Sequence, residues 1–208
     1  MFKDKYGLTD AVLQGRKTMT RRIIRNLLNF DPRQDWIVLG NDDKGKASIA
    51  IFHNETYKYS IYPQYQPGEV VDVAQSYKDL GYTKEWVEQH ISPNPNANWN
   101  DPFEKKYPGW SNKMFVPAKL NKAHQIRITD IKVDRLQDIS DVDCLREGIL
   151  KRDIRPFTFI EIKYQVPKTT IYKDTPREAF AALINKINGK GTFEKSPYVF
   201  VYSFELVK

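Results

Sequence analysis

The sequence predicts an α+β fold built around an antiparallel sheet. Three observations carry that expectation. Apolar residues alternate along well-separated stretches, most clearly at Tyr198, Phe200, Tyr202, Phe204 and Leu206. Only short helical patterns lie between these stretches, without the steady strand–helix alternation of a doubly wound sheet. Two long, weakly patterned stretches, near 26–62 and 78–112, read as insertions in a single domain covering 1–208.

The elements follow in order. Thr9 has the chemistry of an N-cap and Gly15 that of the residue after a helix, so a short helix is expected over 10–14. Residues 26–46 are polar apart from a strand candidate at Trp36-Ile37-Val38-Leu39, and 47–53 is a better candidate. Pro63, Pro67 and Gly68 mark a turn, and 70–73 then reads as a short buried strand. Residues 92–112 are rich in Pro and Asn, with Trp99, Phe103, Tyr107 and Trp110 interleaved. A loop this long is functional or disordered, and disordered segments are poor in aromatics. These rings are expected to pin the loop onto the fold, with a lid over a ligand or a base-stacking surface as alternatives.

Residues 125–133 form a strong strand. Ile126 and Ile128 alternate, and Ile131 and Val133 resume one residue out of phase, the pattern of a β-bulge. A helix follows within 136–148, with a capping-box pattern at Ser140 and Asp143, an apolar face of Val142, Leu145 and Ile149, and Gly148 closing it. Ile160, Ile162 and Tyr164 alternate as a strand. Thr175-Pro176-Arg177-Glu178 combines N-cap, N1 proline and N3 glutamate. Phe180, Leu183, Ile184 and Ile187 continue that helix at its natural spacing, and Gly189 ends it. The last strand is apolar on both faces over its first half, so it is expected to be central.

The chain has 208 residues, 40% of them hydrophobic, enough for a sizeable core. Twelve Tyr and 11 Phe can fill that core or offer stacking surfaces. A net charge of +7 and a pI of about 9.3 favour anionic partners, although the same charge serves solubility. One cysteine, Cys144, excludes an internal disulfide framework and fits a reducing compartment. The first five residues lack the apolar run of a signal peptide, and no stretch approaches the roughly 20 apolar residues of a membrane span. These features imply a soluble, cytoplasmic protein with no membrane partner. His53, His90 and His124 are isolated, so no metal is expected. The phosphate-cradling loops of nucleotide enzymes and the serine elbow are missing, so no cofactor is expected.

The chemistry concentrates in Gly15-Arg16-Lys17-Thr18-Met19-Thr20-Arg21-Arg22, where four cations occupy seven residues. A hydroxyl near an amine can be a nucleophile beside its base. The same cations can hold phosphate. Lys17 could act as a base only with a lowered pKa, since roughly one unperturbed lysine in 2,500 is neutral at pH 7. Burial and the neighbouring arginines would lower it, and a carboxylate would oppose them. Cys144, three residues before Glu147, reads as a small core residue.

Gly15, Lys17, Thr20 and Arg22 fill every fixed position of G-x-K-x-x-T-x-R. The stretch resembles the signature of the ASCH family of PUA-like β-barrels. Three later stretches are similar to family motifs in the same order. They are Pro67-Gly68-Glu69-Val70-Val71-Asp72-Val73, the segment from Leu136 through Ile139, Ser140 and Asp143 to Glu147-Gly148, and the closing Pro197–Leu206 strand. The chain departs from phage-associated members at Val73-Ala74-Gln75-Ser76-Tyr77, where an Arg–Glu pair is lost.

The resemblance implies a PUA-like β-barrel with short helices and long loop insertions. It implies a cationic cleft for RNA or a modified nucleoside, with Gly15, Arg16, Arg21 and Arg22 as ligand-binding residues. A compact bacterial branch of the family hydrolyses N4-acetylcytidine to cytidine and acetate. Matching its motifs assigns a catalytic triad to Lys17, Thr20 and Glu147. Metal-independent RNA cleavage is a third expectation for the family, although no second catalytic group stands out beside a histidine or lysine base.

Overall fold

The doubly apolar strand Tyr198–Leu206 does become the centre of a sheet. The computed structural model describes residues 6–27, 35–94, 96, 100–154 and 161–207. The helices are α1 (Leu8–Leu13), α2 (Lys84–His90), α3 (Pro102–Lys106), α4 (Asp141–Arg146) and α5 (Pro176–Asn188). The strands are β1 (Met19–Ile23), β2 (Asp35–Asn41), β3 (Ala47–His53), β4 (Thr56–Ile61), β5 (Val70–Asp72), β6 (Gln125–Arg135), β7 (Leu150–Ile154), β8 (Glu161–Gln165), β9 (Tyr172–Lys173) and β10 (Tyr198–Leu206). The mixed α+β class is as expected. The chain divides into two compact units, Phe2–Glu69 with Arg127–Leu206, and Val70–Ile126 with the two chain termini.

In the larger unit β10 lies between β1 and β6. Its pairing with β1 is antiparallel and runs from Met19↔Ser203 to Ile23↔Val199. At the other flank, Leu136 donates its backbone N–H to the Pro197 carbonyl at 3.0 Å. The sheet is a curled, antiparallel half-barrel. Val199 and Val201 of β10 and Met19 of β1 turn to one face and meet Ala179, Phe180, Leu183 and Ile184 of α5. Phe193 seats edge-on against Phe180, with ring centres 6.2 Å apart. The capping box of α5 is complete: the Thr175 hydroxyl accepts from Glu178 N, and the Glu178 carboxylate accepts from Thr175 N. Along β6 the buried set moves from Ile126 and Ile128 to Ile131, the phase shift read from the sequence.

Two three-stranded antiparallel sheets, β2-β3-β4 and β7-β8-β9, complete this unit. The sequence reading missed β4. Its Tyr57, Tyr59 and Ile61 alternate, but polar neighbours made 26–62 read as an insertion. The β3–β4 turn is Asn54-Glu55, both at positive φ (46° and 67°), the geometry of a two-residue hairpin turn. Ile160 of the strand expected at Ile160, Ile162 and Tyr164 lies outside the described residues, and β8 begins at Glu161.

Two local expectations change. Helix α1 starts at Leu8 with Gly7 at the N-cap, and Thr9, the expected cap, is buried. On α4 the Ser140 hydroxyl caps Asp143 N as expected, but Val142 is 66% exposed and Cys144 takes the core position. The helix has under two turns, so one inward position suffices and Cys144 holds it.

The smaller unit has its own core of Tyr77, Val87, Tyr107 and Val116, with Trp86, Phe103 and Trp110 packed against it. Three aromatics of the 92–112 stretch therefore build this core, while Trp99 lies outside the described residues. Glu104, 3% exposed, accepts from Gly109 N, Ser111 N and the Ser111 hydroxyl, and so shapes the turn after α3. Gly109 sits at φ +111°, where an added Cβ would meet the Tyr77 ring at 2.8 Å. Val70 of β5 is 45% exposed rather than buried as expected. Among the described residues no helix is long and apolar enough to cross a membrane.

Truncating Phe180 to Ala removes the central ring of the larger core. We expect a loss of about 3–5 kcal/mol in urea unfolding, against about 1 kcal/mol for Thr175→Ala at the α5 cap.

Candidate functional site

Helix α1 ends in a full Schellman turn. Gly15, at φ +68°, donates to Val12 O, and Arg16 N donates to Ala11 O. The turn aims the chain directly into β1, so the basic octapeptide straddles a helix end and a strand. Strand alternation then sends successive side chains to opposite faces. Met19 packs in the core, which places Arg21 on that same inner face. Thr20 and Arg22 take the other face, opposite Tyr202 and Phe200 of β10.

On the inner side the octapeptide meets the end of α4. Lys17 is 2% exposed, and its ammonium has three acceptors. They are the Met19 carbonyl at 2.7 Å, the Glu147 carbonyl at 2.8 Å and Glu147 Oε2 at 2.6 Å. Glu147 is 5% exposed, and its second oxygen accepts from Arg21 at 3.3 Å. Arg21 also donates to Asp143 at 3.1 Å, while its Nε is buried with no hydrogen-bond partner. Gly148, at φ +105°, lets the backbone pass this point: a Cβ there would meet Leu8 at 3.3 Å and the Lys17 stem at 3.7 Å.

Burial holds the Lys17 amine below the ordinary lysine range, because a dry interior penalises its charge. The Glu147 carboxylate opposes that shift, and Arg22 and Arg21 add to it. Burial also pushes the Cys144 thiol up to about 12, so it stays protonated and serves as packing.

On the outer side lies a cleft of about 790 Å³ within the larger unit. Arg22, Arg25 and Lys195 bring three cations to its wall. Tyr62, Phe200 and Tyr202 bring three aromatic rings, and Asn26, Gln64 and Asn188 bring three amides. No described carboxylate lines it. The Tyr202 hydroxyl is fixed by the Gln64 N–H at 3.0 Å.

The structure thus brings Lys17, Arg21 and Glu147 together, and places Arg22 in the cleft. Thr20 belongs to the strand face opposite Arg21. Arg16 points elsewhere: it is exposed, donates to Gln14 Oε1 at 2.9 Å, and lines a separate groove with Arg146, Lys151 and Arg152. Gly15 contributes its left-handed backbone to the turn. Sequence reasoning missed Arg25, Lys195, Tyr62 and Gln64, which come from three segments with no shared motif. It also missed a 2.7 Å hydrogen bond between His53 Nδ1 and Asp35 Oδ1. These two are direct partners in the β2–β3 register, which is centred on the Asp42–Gly45 turn, so counting outward from that turn would have paired them.

Among the described residues no three His, Cys, Asp or Glu side chains gather to hold a metal ion. No protein-family model, curated protein or solved structure matches this chain.

Removing one partner of a buried ion pair leaves the other charge stranded. Glu147→Ala is expected to cost about 3–5 kcal/mol in denaturant unfolding. Combining it with Lys17→Met should cost clearly less than the two separate losses added together, a coupling that a double-mutant cycle measures.

Proposed function

We propose that the larger unit binds RNA or a modified nucleoside in the cleft beside β10. The observation that supports this reading most is its lining of three cations and three aromatic rings without a described carboxylate. Arginine and lysine hold phosphate, while unstacked bases find sequence-tolerant partners in aromatic faces. The three amides carry both donors and acceptors, as base edges require. The net charge of +7 draws a polyanion towards the protein. Resemblance to the ASCH family points to the same class of ligand. In this reading Arg22 is the ligand-binding member of the octapeptide, and Lys17, Arg21 and Glu147 hold the strand that presents it.

A second reading follows from the 2.6 Å contact between Lys17 and Glu147. It is hydrolysis of an acylated nucleoside such as N4-acetylcytidine, with Thr20 as nucleophile, Lys17 as its base and Glu147 orienting that base. Amide hydrolysis also needs a proton for the leaving amine and stabilisation of the oxyanion. Each ammonium proton of Lys17 already has an acceptor, and Thr20 emerges on the other strand face. This arrangement favours binding over catalysis.

Binding of a short single-stranded RNA, followed by fluorescence anisotropy, should weaken steeply with salt. Three phosphate contacts imply a log–log slope of about −2. Arg22→Ala should weaken binding about tenfold and make the slope shallower by about 0.7. Salt-independent or undetectable binding overturns the reading.

N4-acetylcytidine is expected to come back intact after incubation, as judged by chromatography. Cytidine release that is lost with Lys17→Ala and with Thr20→Ala establishes the amidohydrolase instead. The second variant matters because it leaves the buried pair in place.

A further inference from the structure

A second cationic surface of the larger unit lies apart from the cleft, beside α4 and β7. It is a groove of about 640 Å³. Arg16, Arg146, Lys151 and Arg152 supply four cations, and Val142, Leu145, Ile149 and Leu150 supply aliphatic surface. No described carboxylate or aromatic ring lines it. Three of the guanidiniums are steered by neutral oxygens. Arg16 Nε donates to Gln14 Oε1 at 2.9 Å, Arg146 Nε to Thr18 Oγ1 at 3.3 Å and Arg152 Nε to Gln165 Oε1 at 2.9 Å. Held in this way, a guanidinium presents its forked end, which matches a carboxylate. A single loose ion pair reaches them among the described residues: Arg146 lies 3.6 Å from Asp143, which Arg21 already holds at 3.1 Å.

The groove also runs along an open strand edge. Among the described residues β7 pairs with β8 alone and is the outer strand of its sheet. No other backbone hydrogen bond among the described residues reaches 150–154. Side chains alternate along a strand, so three successive residues, Leu150, Lys151 and Arg152, line one groove only from the strand's edge. The other edge is occupied by β8, which leaves the groove on the free one. Backbone N–H and C=O groups on a free edge can be paired by an extended peptide. A nucleic acid has no such ladder, and its bases favour aromatic faces, which this groove lacks. We propose that an acidic, extended segment of a partner protein docks here by adding a strand to β7. Its apolar residues pack on Val142, Leu145 and Ile149, and its carboxylates meet Arg16, Arg146, Lys151 and Arg152. The same cations repel basic strands and so select the partner. This surface does not depend on what the cleft binds.

The test titrates the full chain into a fluorescein-labelled peptide of about six residues that alternates Glu and Val, followed by anisotropy. Binding that weakens with salt is expected, and the same peptide with Lys in place of Glu should not bind. Lys151→Glu combined with Arg152→Glu, checked for an unchanged melting curve, should weaken binding about tenfold. Strand addition has a signature that charge attraction lacks, because alternate amides of the peptide point at β7. N-methylation of one alternate set should weaken binding about tenfold, and of the other set should leave it in place. A single-stranded oligouridylate in excess should leave the peptide bound. Flat anisotropy up to millimolar peptide overturns the proposal. So do full binding by the charge-reversed chain and equal binding of the two methylated peptides. Displacement by the oligouridylate overturns it as well and makes the groove a nucleic-acid surface.

Discussion

The contact on which the larger unit depends is the buried ion pair of Lys17 and Glu147. Two charged side chains have left water together, and their remaining hydrogen-bonding capacity is filled by two backbone carbonyls and by Arg21. Such pairs add little net stability over an apolar substitute, but they fail badly when one member is lost. Their value here is geometric. The ammonium fits one place, between the start of β1 and the end of α4, and so fixes how the basic strand meets the helix. Gly148 and the Schellman turn at Gly15 are the backbone conditions for that fit.

Once β1 is fixed, alternation divides its charges. Arg21 faces inward to Glu147 and Asp143, while Arg22 faces outward to the rings of Phe200 and Tyr202. Arg16, still in the turn, belongs to a third location beside α4 and β7. A cluster that looks like one cationic patch in the sequence is three separate environments in the fold. This division supports a binding role for Arg22 and a structural one for Lys17 and Arg21.

The elements whose chemistry is local were legible in the sequence. The α5 capping box, the apolar period of β10 and the phase shift in β6 each lie within a dozen residues and depend on nearest neighbours. The cap at Thr9 and the inward Val142 were misread because tertiary packing outranks propensity in helices of six residues. Within the site, Lys17 and Glu147 were marked by family resemblance, and their contact was not otherwise deducible across 130 residues. Arg25, Lys195, Tyr62 and the His53–Asp35 pair carry no motif. Only strand register and packing bring them to their places.

That separation of 130 residues also governs when the fold can form. Closing so long a loop is entropically demanding, and topologies rich in distant contacts fold slowly. β1 has no partner strand until β10, much later in the sequence, has been synthesised. During synthesis the octapeptide therefore emerges with all four cations in water, able to meet any polyanion nearby. Folding withdraws Lys17 and Arg21 into the interior, keeps Arg16 exposed and sets Arg22, half-buried, in the wall of the cleft.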